Sequence, residues 1–141
     1  MTTQTSNHVS APAERQQPTL VLGGTGKTGR RVAERLMARG LPVRIGSRSG
    51  RPPFDWSNPA TWAPALDGVG AAYIAYYPDV AAPGGVEAVS SFAQVAVANG
   101  VRRLVLLSGR GEPEAEEAEE AVRASGADLT ILRATWFAQN F

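Results

Sequence analysis

"LVLGGTGKTGRR" (residues 20–31) runs a short aliphatic segment into a glycine-rich turn with one lysine, and then into a helical pattern. A strand that ends on such a turn and opens a helix is a phosphate-binding loop. Two loops fit at first sight. Gly26-Lys27-Thr28 looks like the end of a triphosphate-binding loop, G-x-x-x-x-G-K-[ST]. With the lysine at 27, that pattern needs glycine at 21, and the residue there is Val21, inside the strand. The loop is too short to wrap a triphosphate. Gly23, Gly26 and Gly29 instead follow G-x-x-G-x-x-G, the spacing of a dinucleotide turn. Gly23 permits the tight turn, Gly26 lets backbone approach a pyrophosphate, and Gly29 lets the helix pack on the sheet.

Outward from this turn the apolar period switches repeatedly. Residues 19–24 read as a strand, and 27–40 as a helix with Val32, Leu36 and Met37 on one stripe and Gly40 as its stop. Residues 42–50 are a second strand running into a loop, and 52–56 hold a very short third strand. Residues 58–68 form a helix with Asn58 as N-cap and Pro59 at the first helical position. A fourth strand (70–78), a helix (83–100), a fifth strand (102–109), an acidic helix (112–126) and a sixth strand (127–133) complete the series. This alternation predicts an α/β fold, a Rossmann-type doubly wound parallel sheet of order 3-2-1-4-5-6. Residues 1–17 are polar and lack an apolar core, so they read as a disordered tail rather than a secretory signal; residues 18–141 form the domain.

Composition removes several chemistries. The chain of 141 residues has no cysteine, and its one histidine, His8, lies in the tail. Thiolate nucleophiles, thiolate or imidazole metal sites and a Ser-His-Asp triad are therefore excluded from the domain. The net charge of +1 gives no nucleic-acid footprint. The pairs Arg30-Arg31 and Arg102-Arg103 read as solvated faces. No stretch approaches the ~20 apolar residues of a membrane span, and a cytoplasmic protein is the default expectation.

The second strand addresses the cofactor. A dinucleotide site for NAD carries an acid at this strand's end to hold the ribose 2′-hydroxyl. Here the sequence is Gly46-Ser47-Arg48-Ser49, without an acid. Hydroxyls and a guanidinium suit a 2′-phosphate, with Arg44 and Arg51 adding charge nearby, so NADP(H) is favoured over NAD(H).

The motifs GGTGKTG, SRSG, FDWSNPATWAPAL, GVRRLVLLS and LTILRATWFAQNF together resemble the NmrA-like atypical short-chain dehydrogenases, and within them reductases of the ergot-alkaloid type. The resemblance runs from about Thr19 to Phe141, the N-terminal part of such proteins. It implies that Gly23, Thr25, Gly26, Lys27, Thr28 and Gly29 hold the pyrophosphate side and that Ser47 and Arg48 hold the 2′-phosphate. It places Asp55 and Trp56 beside the adenine, and Tyr76, Tyr77 and Ser108 along the ribose and nicotinamide. Trp136, Phe137 and Asn140 would line the way to the substrate. Trp56 and Trp62 read equally well as packing residues, and Tyr73 is expected to face the core. Ala134 stands where relatives commonly have proline, and relatives continue well beyond Phe141 into a substrate part.

Short-chain dehydrogenases typically use Tyr-x-x-x-Lys as acid and base. The only lysine is Lys27, in the nucleotide turn, so no such dyad exists within these residues, and the catalytic residues stay unassigned. Hydride addition to an imine, iminium or quinone-like small molecule needs little proton transfer and fits that absence. The alternative is a non-catalytic, redox-sensing regulator that binds the dinucleotide. Monomer and homodimer are both compatible with the chain. The run Glu112, Glu114, Glu116, Glu117, Glu119, Glu120 reads as a solvated acidic face complementing the helix dipole. If one of these acids acts, the resemblance favours Glu120.

Overall fold

The computed structural model describes residues 17–23, 27–76 and 83–134, with the backbone alone for Lys27, Thr28 and Ala134. The chain alternates β1 (Thr19–Leu22), α1 (Lys27–Ala38), β2 (Val43–Gly46), a 3-10 turn (Pro59–Thr61), α2 (Trp62–Leu66), β3 (Ala71–Ile74), α3 (Gly85–Ala98), β4 (Arg103–Gly109), α4 (Pro113–Arg123) and β5 (Asp128–Ala134). All strand pairs are parallel, in the order β2-β1-β3-β4-β5. The chain leaves β1 on one side for β2 and returns to its other side for β3. Strand order reverses there, which opens a crevice at the carboxyl ends of the strands.

This is the doubly wound sheet read from the sequence, less one strand. Residues 52–56, expected as a short third strand, join no strand ladder among the described residues. Pro52 and Pro53 have no N–H to give a ladder. Phe54 N donates back to Ser47 O (2.8 Å), folding the segment onto the exit of β2. The Phe54 side chain then turns inward, 3% exposed. The expected helix at 58–68 shortens to the 3-10 turn and α2. Asn58 stands at the N-cap position, but its side chain makes no capping bond.

The two faces of the sheet are covered unequally. Leu20, Leu22, Ala72, Ile74, Leu104 and Leu106 alternate onto one face. There they meet Trp62 and Leu66 of α2, Val89, Phe92 and Ala96 of α3, and Ala115, Ala118 and Val122 of α4. Each large aliphatic or aromatic side chain so buried contributes roughly 1.5–3 kcal/mol. On the other face Val21 and Tyr73 pack with Ala33 of α1, flanked by Val32 and Leu36. Met37, expected on that stripe, points outward, and Ala33 takes the inner position. Tyr73 is buried as expected, and its hydroxyl finds no partner among the described residues.

Two residues near the sheet have local reasons. A Cβ at Gly46 would lie 2.6 Å from Leu22 Cδ2 and 3.3 Å from Leu20 Cδ1, so any side chain there would have to push these packed leucines aside. Arg44 turns away from the end of its strand. Its Nη1 donates to Ala65 O (2.8 Å) and Asp67 O (2.7 Å), satisfying carbonyls at the carboxyl end of α2. The charge expected from Arg44 beside Ser47 is committed to that helix end.

Candidate functional site

An open cleft of about 990 Å³ lies over the carboxyl ends of β1, β2 and β3, and Gly23, Gly46, Ser47, Arg48, Ser49, Phe54, Asp55, Trp56, Ser57 and Ala75 line it. Gly23 ends β1 at φ +71°, a left-handed conformation that glycine adopts without steric cost. α1 opens just beyond this turn, with no acidic residue in its first turn to repel an anion. Gly29 is buried, as a residue in the helix–sheet contact must be.

The far wall is built from a loop that its own hydrogen bonds hold. Asp55 N donates to Thr61 Oγ1 (2.9 Å), Thr61 Oγ1 donates to Asn58 O (2.7 Å), and Trp62 Nε1 donates to Asp55 O (3.0 Å). The Asp55 carboxylate accepts from Ser57 Oγ (2.7 Å) and Ser57 N (2.9 Å). These bonds from Ser57, with a smaller contribution from the charge of Arg48, hold its carboxyl below the usual aspartate range. Behind the loop stands an aromatic cluster. Trp56 meets Phe54 at 5.2 Å, Trp62 at 5.7 Å, Phe92 at 5.4 Å and Tyr76 at 5.1 Å, all edge-on. Trp62 is buried and Trp56 half-buried, which separates two tryptophans that read alike in the sequence.

Gly23, Ser47, Arg48, Asp55 and Trp56 are thus brought together around one cleft. Tyr76 stands behind Trp56, at the exit of β3. Thr25, Gly26, Tyr77, Trp136, Phe137 and Asn140 lie outside the described residues, and Lys27 and Thr28 enter only as the start of α1.

Ser108 is not among the residues that line this cleft. It is 3% exposed, on the face covered by α4, and its Oγ donates to Glu119 Oε2 (2.7 Å). Glu119 also receives Arg133 Nε at Oε2 (3.0 Å) and Arg133 Nη2 at Oε1 (2.8 Å). This fork with Arg133, and then the bond from Ser108, pull its carboxyl below the usual glutamate range against the effect of burial. The acidic helix therefore does contain one buried acid, and it is Glu119. Glu120, favoured from the sequence, is exposed and pairs with Arg123 one turn on (2.9 Å). The signal for Glu119 was present in the spacing. It belongs to the stripe Ala115, Ala118, Glu119, Val122, and a glutamate on an apolar stripe is a buried one with a partner.

Among the described residues no group of His, Cys, Asp or Glu is arranged to hold a metal ion, and no helix is long and apolar enough to cross a membrane. Sheet order, glycine turn and switch-point cleft define the class: a Rossmann-type, doubly wound α/β domain. The chain is similar to festuclavine dehydrogenase of Aspergillus fumigatus, at 33% identity over 138 residues, covering 86% of this chain and 48% of that protein. It is also similar to agroclavine dehydrogenase of Claviceps fusiformis, at 32% identity over 142 residues, covering 86% and 47%. The resemblance to ergot-alkaloid-type reductases read from the motifs rests on these two alignments as well. The chain spans about half the length of the curated relatives it matches. No family model matches it. Among solved structures, an NADPH-dependent quinone oxidoreductase from Escherichia coli, complexed with NADPH, superposes with a TM-score of 0.69 at 22% identity, covering 87% of this chain and 50% of that one. A short-chain dehydrogenase/reductase superfamily protein from Agrobacterium tumefaciens, with bound NAD, gives 0.65 at 22%, covering 82% and 48%.

Proposed function

We propose that this chain is the dinucleotide-binding part of an NADPH-dependent reductase that delivers hydride to an imine, iminium or quinone-like small molecule. The observation that carries the reading is the chemistry at the exit of β2. Ser47, Arg48 and Ser49 line the cleft there, and no acid stands among them. The acid of the cleft lining, Asp55, already accepts two hydrogen bonds from Ser57. A 2′-phosphate finds a guanidinium and hydroxyls at the exit of β2, whereas a 2′-hydroxyl finds no carboxylate in that segment.

The residues present fit such a cofactor. The turn at Gly23 and the amino end of α1 would receive the pyrophosphate, Ser47 and Arg48 the 2′-phosphate, and Trp56 the adenine. When bound, the cofactor supplies the hydride. The chain's own part is to fix the adenosine half rigidly through the Asp55–Thr61–Trp62 bonds and to exclude water from one side with the aromatic cluster. Names of relatives support the substrate class, since the two dehydrogenases are called after ergot alkaloids and the superposed reductase after quinones.

The alternative is a redox-sensing regulator that binds without turnover. It is favoured by one observation: the Ser108–Glu119–Arg133 group beside β4 is internally satisfied and offers no free acid or base. Titration of tryptophan fluorescence with NADPH and NADH tests the primary reading, because Trp56 borders the cleft. Arg48→Ala is expected to weaken NADPH about tenfold or more and to leave NADH nearly unchanged. Equal loss for both, or no binding of either to the unaltered chain, refutes it. Binding without turnover of any cyclic iminium or quinone favours the regulator.

A further inference from the structure

Two carboxylates flank the end of β4, and among the described residues only Glu119 is paired. Glu119 lies on the α4 face, 4% exposed and held by Ser108 and Arg133. Glu112 lies in the loop between β4 and α4 and folds back to Gly109. Its Oε1 occupies the space that a Cβ on Gly109 would need. That oxygen is buried from water and accepts no hydrogen bond from the described residues. Gly109 has no left-handed φ, so the backbone does not demand glycine there, and a side chain at 109 would have to displace the end of Glu112. By strand alternation Gly109 shares its face with Val105 and Leu107, opposite to Ser108. Glu112 as a whole is half-buried, and an enclosed carboxylate oxygen without a donor among the described residues is open to a partner from outside them.

This inference rests on the dinucleotide reading above. With the adenosine half at the exit of β2 and the pyrophosphate at the turn after β1, the other half of such a cofactor would lie beyond β3, on the side of β4. The oxidised nicotinamide ring carries a positive charge and the reduced ring none. The geometry points to Glu112 as the residue that sets the preference between the two redox forms: its unpaired carboxylate oxygen, enclosed against Gly109, favours the charged, oxidised ring. A bound couple stabilised in its oxidised form is a stronger hydride donor. A tenfold preference corresponds to about 30 mV for a two-electron couple.

The test measures the affinity of the whole chain for NADP⁺, NADPH and 2′-phospho-ADP-ribose, which lacks the nicotinamide. Glu112→Gln is expected to weaken NADP⁺ by about five- to tenfold while NADPH and the nicotinamide-free fragment move by less than about twofold. Glu112→Asp, which keeps the charge, is expected to restore most of the preference. Gly109→Ala gives an independent readout, because the new methyl displaces the carboxylate and should reduce the preference without altering charge. An unchanged NADP⁺-to-NADPH ratio in both Glu112→Gln and Gly109→Ala overturns the inference while leaving the dinucleotide reading intact. Parallel loss of all three ligands assigns Glu112 a structural role and also overturns it. Failure of the unaltered chain to bind any of the three removes the dinucleotide reading and this inference together.

Discussion

Replacing Glu119 by glutamine keeps the shape of the side chain and removes its charge. The carboxylate accepts three hydrogen bonds, at 2.7, 3.0 and 2.8 Å, from Ser108 and Arg133. The Ser108 bond is enclosed and charge-assisted, worth about 1.5 kcal/mol. The Arg133 fork is weaker than its geometry implies. Arg133 is 52% exposed on its side chain, so water competes for it, and about 0.5–1 kcal/mol is a fair share. Glutamine can accept from one of these donors but presents an amide N–H₂ to the others. The expected loss is about 2 kcal/mol, or roughly 5–10 °C in the unfolding midpoint of a domain this size. The loss should depend on pH. Because the folded carboxyl titrates below its ordinary value of 4.5, its contribution is complete above that value and disappears as pH falls through the folded pKa. Urea unfolding of both proteins should therefore show a gap of about 2 kcal/mol near neutral pH that narrows steadily in acid. A gap that stays constant into acid would refute the account, because it would mean that packing rather than charge is at issue. So would the absence of a gap near neutral pH.

Gly46→Ala drives a methyl into Leu22 and Leu20 at the β1–β2 contact and is expected to cost about 1–3 kcal/mol, read by the same unfolding assay. Tyr73→Phe removes a buried hydroxyl with no partner among the described residues, and the variant should be as stable as the parent or up to about 1 kcal/mol more so. Burial pushes the Tyr73 phenol up to about 12, so ultraviolet difference absorbance should show its ionisation well after that of an exposed tyrosine.

Much of this fold was legible because hydrophobic period and glycine placement report on backbone geometry directly. The turn at Gly23, the α3 stripe of Val89, Phe92, Ala93 and Ala96, and the parallel strands all follow from such local signals. The segment 52–56 did not, because its outcome rests on a tertiary choice. Phe54 gains more from the core beside Phe92 (5.6 Å) than a proline-bounded strand gains from a ladder. The candidate site divides in the same way. That Ser47, Arg48 and Asp55 share one cleft was legible because position after a strand places them at one edge. The partners of Arg44 and Ser108 were not, because each is chosen by a side chain distant in sequence: the carbonyls of Ala65 and Asp67 in one case, Glu119 in the other. Glu112 has no periodic signature at all, and its relation to Gly109 exists only in three dimensions.

The aromatic cluster belongs at once to the interior and to the cleft wall. Phe54, Trp62 and Phe92 are in the hydrophobic core, and Trp56 leans on all three while bordering the open space. A planar molecule resting on Trp56 would in effect enlarge the core by one more ring. Occupancy and folding are then coupled through a shared surface: a ligand at a hundred times its dissociation constant would add about 2.7 kcal/mol to the folded state. The same coupling runs backward. Thinning the cluster from the inside, far from any contact with ligand, would loosen the wall on which the ligand rests, so core variants at Phe92 should report in the affinity of the cleft as well as in melting.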